Sequence, residues 1–283
     1  MHGDDDLLKQ SRSALLDAME ALDAHRESVI LVGAQAIYLH TGQAPVALAE
    51  ATKDSDLALD LRGLADDPLV EEAMVRGGFD RDPNGQPGAW LSPRGVPVDL
   101  MVPERIAGRG SRSVTMPPHD RRAARRTRGL EGALVDNAVL IVSALDPADA
   151  RSAEIRVAGP AGLLVAKLHK LGERAYAAGA AQPESTRLRD KDAHDIYRIL
   201  VAIRTSELAA SFCATLEDEL SAEVASEALD YLELLFAAGP QAVGAAMAGR
   251  AELLAGDPQQ VAVSAAALAE DLVSAIRGGQ RPA

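Results

Sequence analysis

Apolar residues recur at helical spacing over residues 7–26, at Leu7, Leu8, Leu15, Leu16, Met19 and Leu22, and predict an amphipathic helix. Residues 28–32 form a short, mostly apolar run that predicts a buried strand, ended by Gly33 and followed by a helix over 34–40. Residues 56–60 alternate as a half-buried strand does, and 66–76 predict a helix opened by Asp66 and Asp67. Turn-forming residues over 82–88 precede two short strands, 89–91 and 96–101, which bracket Ser-Pro-Arg-Gly and predict a hairpin. Residues 138–145 and 154–158 predict two further strands. Beyond Pro160 the period changes, and helices are expected over 161–178, 188–203, 207–215, 223–237 and 261–276. The expected class is α+β, with a mixed α/β domain over residues 1–159 and an all-α domain over 160–283.

Composition narrows the function. Of the 283 residues, 47% are apolar and 25% charged, globular proportions that exclude wholesale disorder. No apolar run is long enough to predict a membrane span, and the start, Met-His-Gly-Asp-Asp-Asp, is acidic where a secretory leader is basic. The single cysteine, Cys213, allows neither an internal disulfide nor a thiolate zinc site, so a cytoplasmic protein is expected. Net charge is −13, yet residues 105–128 hold eight arginines (Arg105, Arg109, Arg112, Arg121, Arg122, Arg125, Arg126, Arg128) against Asp120. That segment carries +7. It predicts either local phosphate contact, with Arg121, Arg122, Arg125 and Arg126 as the RNA-binding group, or a solvated loop neutralising acidic neighbours.

Three features carry chemistry. Asp54 and Asp56 sit two apart in Thr52-Lys53-Asp54-Ser55-Asp56, so on a strand they share a face, where two carboxylates repel unless a cation such as Mg²⁺ lies between them. Asp99 is embedded in an apolar strand, where an unpaired carboxylate is costly. It either joins the first two acids in a metal site or faces solvent on an edge strand beside an arginine. Gly33, at a strand-to-helix junction, lets backbone approach a phosphate. In the helical half Lys167, Lys170 and Arg174 share one helix face, as do Asp192 and Asp195. Lys170 alone is most simply an exposed residue pairing Glu173 or another surface acid. Asp192 and Asp195 would orient Lys167, serve as a base, or meet Arg189 and Arg198 at the surface. His194-Asp195 has no second histidine motif to make a metal-hydrolase site, and Cys213 has no base candidate near it in sequence.

Gly33, then Asp54 and Asp56, then Asp99, in that order, resemble the pattern of the polymerase-β-like nucleotidyltransferase fold, with Ala34 in place of its second Gly or Ser. Together with the helix of residues 160–174, bearing Lys167 and Arg174, and Arg189-Asp-Lys-Asp-Ala-His-Asp195, they resemble the AbiEii/MenT family of nucleotidyltransferase toxins over residues 30–200. The resemblance implies an enzyme in which Asp54, Asp56 and Asp99 hold Mg²⁺. Asp54, Asp56, Asp99, Lys167 and Asp192 would do the chemistry, and Gly33, Thr52, Lys53, Lys170, Arg174 and Asp195 would bind a nucleoside triphosphate, with Asp190 a register alternative among the acids of the second helix. It further implies nucleotide transfer, CTP being one substrate to consider, to the 3′ end of tRNA, a block of translation, and a cognate antitoxin. Transfer to a protein or small molecule, and an inactive nucleotide- or RNA-binding module, are the alternatives.

Overall fold

The computed structural model describes residues 2–42, 44, 54–108, 112–176, 188–253 and 256–279. An eight-stranded sheet occupies the N-terminal part and helices follow it, giving an α+β protein whose change of character falls between Ala158 and Pro160. Helix α1 (His2–Ala21) and a 3₁₀ turn (Asp23–Ser28) lead into β1 (Val29–Val32), α2 (Gly33–Thr41) and β2 (Ser55–Leu59). Helix α3 (Val70–Arg76) starts later than its acids suggest, because Pro68 disfavours helical backbone at Asp67. Next come β3 (Asp80–Arg81), β4 (Ala89–Leu91) and β5 (Pro97–Pro103). The expected hairpin forms, with Trp90 opposite Val98.

The segment after β5 holds α4 (Glu104–Ala107), β6 (Arg125–Thr127) and α5 (Glu131–Val135), and the sheet closes with β7 (Asn137–Ser143) and β8 (Ser152–Ala158). Strand order is β3-β4-β5-β2-β1-β8-β7, and β6 runs parallel to the second half of β5. Strands β2 and β5 are parallel neighbours, while β1 is antiparallel to β2.

Helix α6 (Pro160–Ala175) carries Pro160 in its first turn, where a missing N–H costs nothing. Asp136 caps it, accepting from the N–H groups of Ala161 at 2.9 Å and Gly162 at 3.0 Å. Helices α7 (Asp190–Ala202), α8 (Thr205–Glu217), α9 (Ala222–Leu232), α10 (Val243–Ala251) and α11 (Pro258–Gly279) complete the helical part. A π-helical turn (Glu233–Ala237) continues α9. The buried apolar side chains of sheet and helices form one continuous cluster, from Leu31 and Leu57 through Ile37 to Leu164, Leu168 and Ile196. Helix α2 lies between sheet and helices and packs on both α6 and α7. Among the described residues no single helix is long and apolar enough to cross a membrane.

Candidate active site

Strand β2 enters the sheet through a buried polar network that ties it to α1 and α2. The Ser55 hydroxyl donates to the Ser11 carbonyl at 3.0 Å, and Ser11 Oγ donates to the Asp54 carbonyl at 3.0 Å. The Gln35 amide donates to Ser11 Oγ at 2.8 Å and Ser55 Oγ at 2.7 Å, and its oxygen accepts from Arg12 Nε at 3.0 Å. Ser11, Arg12, Gln35 and Ser55 are all buried. A polar network satisfied in this way rigidifies what it holds, here the Asp54 backbone and Ser55, which separates the two acids. Sequence reading gave no sign of it.

Register then gathers the acids. Asp56 pairs with Asp99 on parallel β5 and with Val32 on antiparallel β1, so Asp99 lies on one side of it and the start of α2 on the other. In-register neighbours share a face of the sheet. Gly33 has φ +70°, and a Cβ built there would overlap the Asp56 carboxylate. Gly33 thus supplies both a left-handed backbone and the room Asp56 occupies. Gly33→Ala is expected to cost about 2 kcal/mol or more, from the backbone conformation and the overlap together, read as a lower urea midpoint at unchanged slope.

The Asp56 carboxyl is pushed up to about 6 by burial and by the nearby charges of Asp54 and Asp99, with Lys170 and Lys167 pulling the other way. Asp99 is raised above the ordinary carboxylate range by burial and Asp54, against the pull of Arg125, whose guanidinium lies 2.7 Å from Asp99 Oδ2. Asp99 therefore stands beside Asp56 and pairs an arginine, but not on an edge strand, because β5 runs between β4 and β2. Among the described residues no group of three or more His, Cys, Asp or Glu side chains is poised as it stands to hold a metal ion. Asp99 gives one oxygen to Arg125 instead. The donor set itself suits a hard divalent cation: carboxylate oxygens whose mutual repulsion keeps Asp56 from ionising freely.

Opposite these acids stands a cationic wall on α6. Lys167 is 6% exposed and donates to Asp195 Oδ2 at 2.6 Å, with Asp192 Oδ1 at 3.7 Å. Burial works against its charge, but Asp195, Asp192 and Asp56 outweigh burial and raise its pKa above the ordinary lysine value. Lys170 and Arg174 each reach Asp192 at 2.9 Å. Lys170 therefore pairs a buried acid of α7 rather than Glu173. Burial opposes ionisation of Asp192 too, yet Lys167, Lys170 and Arg174 hold its carboxyl below the usual range. Asp192 and Asp195 are buried rather than at the surface, the arginine that meets Asp192 is Arg174, and Arg198 donates to the Thr41 carbonyl at 3.0 Å.

Two side chains absent from the sequence reading belong here. Lys191, on the first turn of α7, has its amine lowered by burial and by Lys167 and Lys170, while Asp195 and Asp54 act to raise it. Tyr38 on α2 has its phenol pushed up to about 12 by burial and Asp195, and Arg198 lies over its ring at 5.4 Å. Lys191 could have been noticed in sequence, since it sits between Asp190 and Asp192 in a chain of five lysines. Thr52 and Lys53 lie outside the described residues, as does Arg109.

The arginine segment is pinned rather than loose. Gly88 N–H donates to the Arg122 carbonyl at 3.0 Å and the Trp90 indole to the Ala123 carbonyl at 2.9 Å, burying Ala123 and Ala124. Arg125 meets Asp99, Arg126 meets Glu104 at 2.9 Å, and Arg128 bridges Glu104, Glu223 and Glu227. Arg121 and Arg122 are exposed and donate to Ser113 Oγ and the Gly85 carbonyl. The strip thus begins at the acids and runs outward along β6.

A family model described as nucleotidyltransferase matches residues 10–218, a span that includes the buried network, all three acids, the α6 cations and α7. No curated protein and no solved structure matches the chain.

Proposed function

The chain belongs to that nucleotidyltransferase family, and we propose that it transfers a nucleotide from a nucleoside triphosphate to the 3′ end of tRNA, as the toxin of a toxin–antitoxin pair. The observation that carries the chemistry is the register that sets Asp56 beside Asp99, with the Asp56 carboxylate against Gly33 and with Lys167 of α6 near enough to lower the Asp56 pKa. The tRNA acceptor, the choice of CTP and the antitoxin rest on the likeness to AbiEii/MenT toxins, and the basic strip beside Asp99 supports the RNA. On this reading residues 1–159 form the nucleotidyltransferase domain and 160–283 a helical domain that completes its site.

Asp54 and Asp56 would hold Mg²⁺ with Asp99 at their side, and the bound ion would neutralise triphosphate charge. Lys170 and Arg174, half exposed on α6, bind the outer phosphates. Lys167, kept protonated by its two acids, presents fixed positive charge to the α-phosphate oxygens as they gain charge. The acceptor hydroxyl oxygen forms a bond to the α-phosphorus, the bond from that phosphorus to the bridging oxygen breaks, and pyrophosphate leaves with the electron pair. Asp99, oriented by Arg125 and raised by its surroundings, takes the hydroxyl proton.

The test is purified protein with Mg²⁺, each labelled nucleoside triphosphate in turn, and total tRNA, total protein or no acceptor. Label at the tRNA 3′ end is the expected result. Label on protein alone would replace the acceptor, and no label anywhere would leave a binding module.

Arg121→Ala with Arg122→Ala should weaken tRNA binding and reduce its salt dependence by about one to two counterions. Among the described residues neither side chain pairs an acid, so the site should stay intact. Unchanged affinity by filter binding across a salt series would remove the strip from the account.

A further inference from the structure

We propose that β7 is a self-pairing edge through which two copies of the chain join their sheets. A sheet edge displays unpaired N–H and C=O groups, and proteins usually guard it by shortness, charge or proline. Two strands here obey that rule: β3 is the dipeptide Asp80–Arg81, and β6 is Arg-Arg-Thr. Strand β7 does not. It is Asn-Ala-Val-Leu-Ile-Val-Ser, seven residues without a charge or a proline, at the end of the strand order.

Its free groups can be assigned. Gly159 N–H donates to the Asp136 carbonyl and Ala144 N–H to the Arg151 carbonyl, the two ends of the β7–β8 ladder. Even-numbered residues of β7 therefore bond to β8, and the backbones of Asn137, Val139, Ile141 and Ser143 point the other way. Ser143 is the last of these, and its carbonyl accepts from Arg12 at 3.0 Å, as an outward group would. Among the described residues no strand pairs with this side of β7. Val139 and Ile141 also expose their side chains, by 54% and 73%.

The occupant that fits is a second copy of β7, antiparallel about a two-fold axis at Leu140. Two outward-facing sets then meet, with Val139 bonded to Ile141 of the other copy, while the Ser143 carbonyl stays with Arg12. On the open face Val139 and Ile141 of each copy form one apolar patch, covering the most exposed large apolar side chain of the sheet. Val139 is flanked by Arg156 and Ile141 by Glu154 on β8. Each row across the joint therefore runs from arginine through two apolar residues to glutamate, so no like charges face each other along a row. An isologous joint of this kind closes and does not propagate.

Sedimentation and light scattering at micromolar concentration should give twice the chain mass for the wild type. Val139→Lys and Ile141→Lys, both at exposed positions, should give the single-chain mass with unchanged circular dichroism. Leu140→Cys in a Cys213→Ala background should form an interchain disulfide on oxidation, since Leu140 faces its own copy. This last variant decides the matter should the lysine variants fold poorly. A wild type that stays a single chain, lysine variants that remain double, or a Leu140→Cys chain that does not cross-link would each overturn the pairing.

Discussion

Asp56→Asn should make the metal-free protein more stable at neutral pH while abolishing nucleotide transfer. The Asp56 carboxyl is raised from 3.8 to about 6. A carboxyl raised on folding favours the native state when protonated. Its contribution is full below the unfolded value and is lost as pH rises through the folded one. Above pH 6 the native state therefore bears a charge it would shed, at a cost of about 3 kcal/mol by the usual conversion of pKa to energy. Asparagine has nearly the same shape and no charge, so the variant should gain about that much at pH 7.5. The advantage should shrink as pH falls towards 4, where both chains are neutral at this position. Urea denaturation in chelator at the two pH values measures it. Added Mg²⁺ should raise the melting temperature of the wild type and leave the variant unmoved. Transfer should fall about a hundredfold or more, since a lost metal ligand removes several kcal/mol of charge stabilisation. Equal stability of the two chains at pH 7.5 would mean that the acids are not crowded, and the site would lose its basis.

What could be read from the chain was whatever local pattern enforces. The alternation around Asp56, the apolar run at β1 and the change of period at Pro160 are short-range properties, and the elements formed there. Helix α10 escaped notice because Gly244 and Gly249 interrupt an alanine-rich stretch with little contrast between faces. Strand β6 escaped because three residues led by two arginines do not look like a strand. They pair only because β5 offers them its second half. The spacing of Asp54 and Asp56 was visible, but the register that sets Asp56 beside Asp99 belongs to the folded sheet. The network of Ser11, Gln35 and Ser55 was invisible for the same reason. Each is an ordinary polar residue, and their partners lie 20 to 44 positions away. Lys170 shows how a correct helix face still yields the wrong partner. Its own helix offers Glu173, but α7 delivers Asp192, and its buried carboxylate needs cations more than Glu173 does.

Lys167→Met should be the most damaging single change, and the reason separates support from chemistry. Asp195 is fully buried, and Lys167 is its one ion-pair partner among the described residues. Asp192 would keep Lys170 and Arg174. The variant therefore strands one carboxylate in the interior, which costs about 3–5 kcal/mol. Adding Asp195→Asn removes that charge and should restore most of the stability, because the amide occupies the same space. The double variant should still be inactive, since no ammonium then stands beside the α-phosphate. Lys167→Arg should keep a charge and part of the stability, with transfer reduced because the guanidinium is wider than the buried slot. Denaturation midpoints and initial rates on the four chains decide it. A double variant that regains activity would confine Lys167 to holding α6 against α7. One that stays as unstable as Lys167→Met would show that the Lys167–Asp195 pair does not bear the load between those helices.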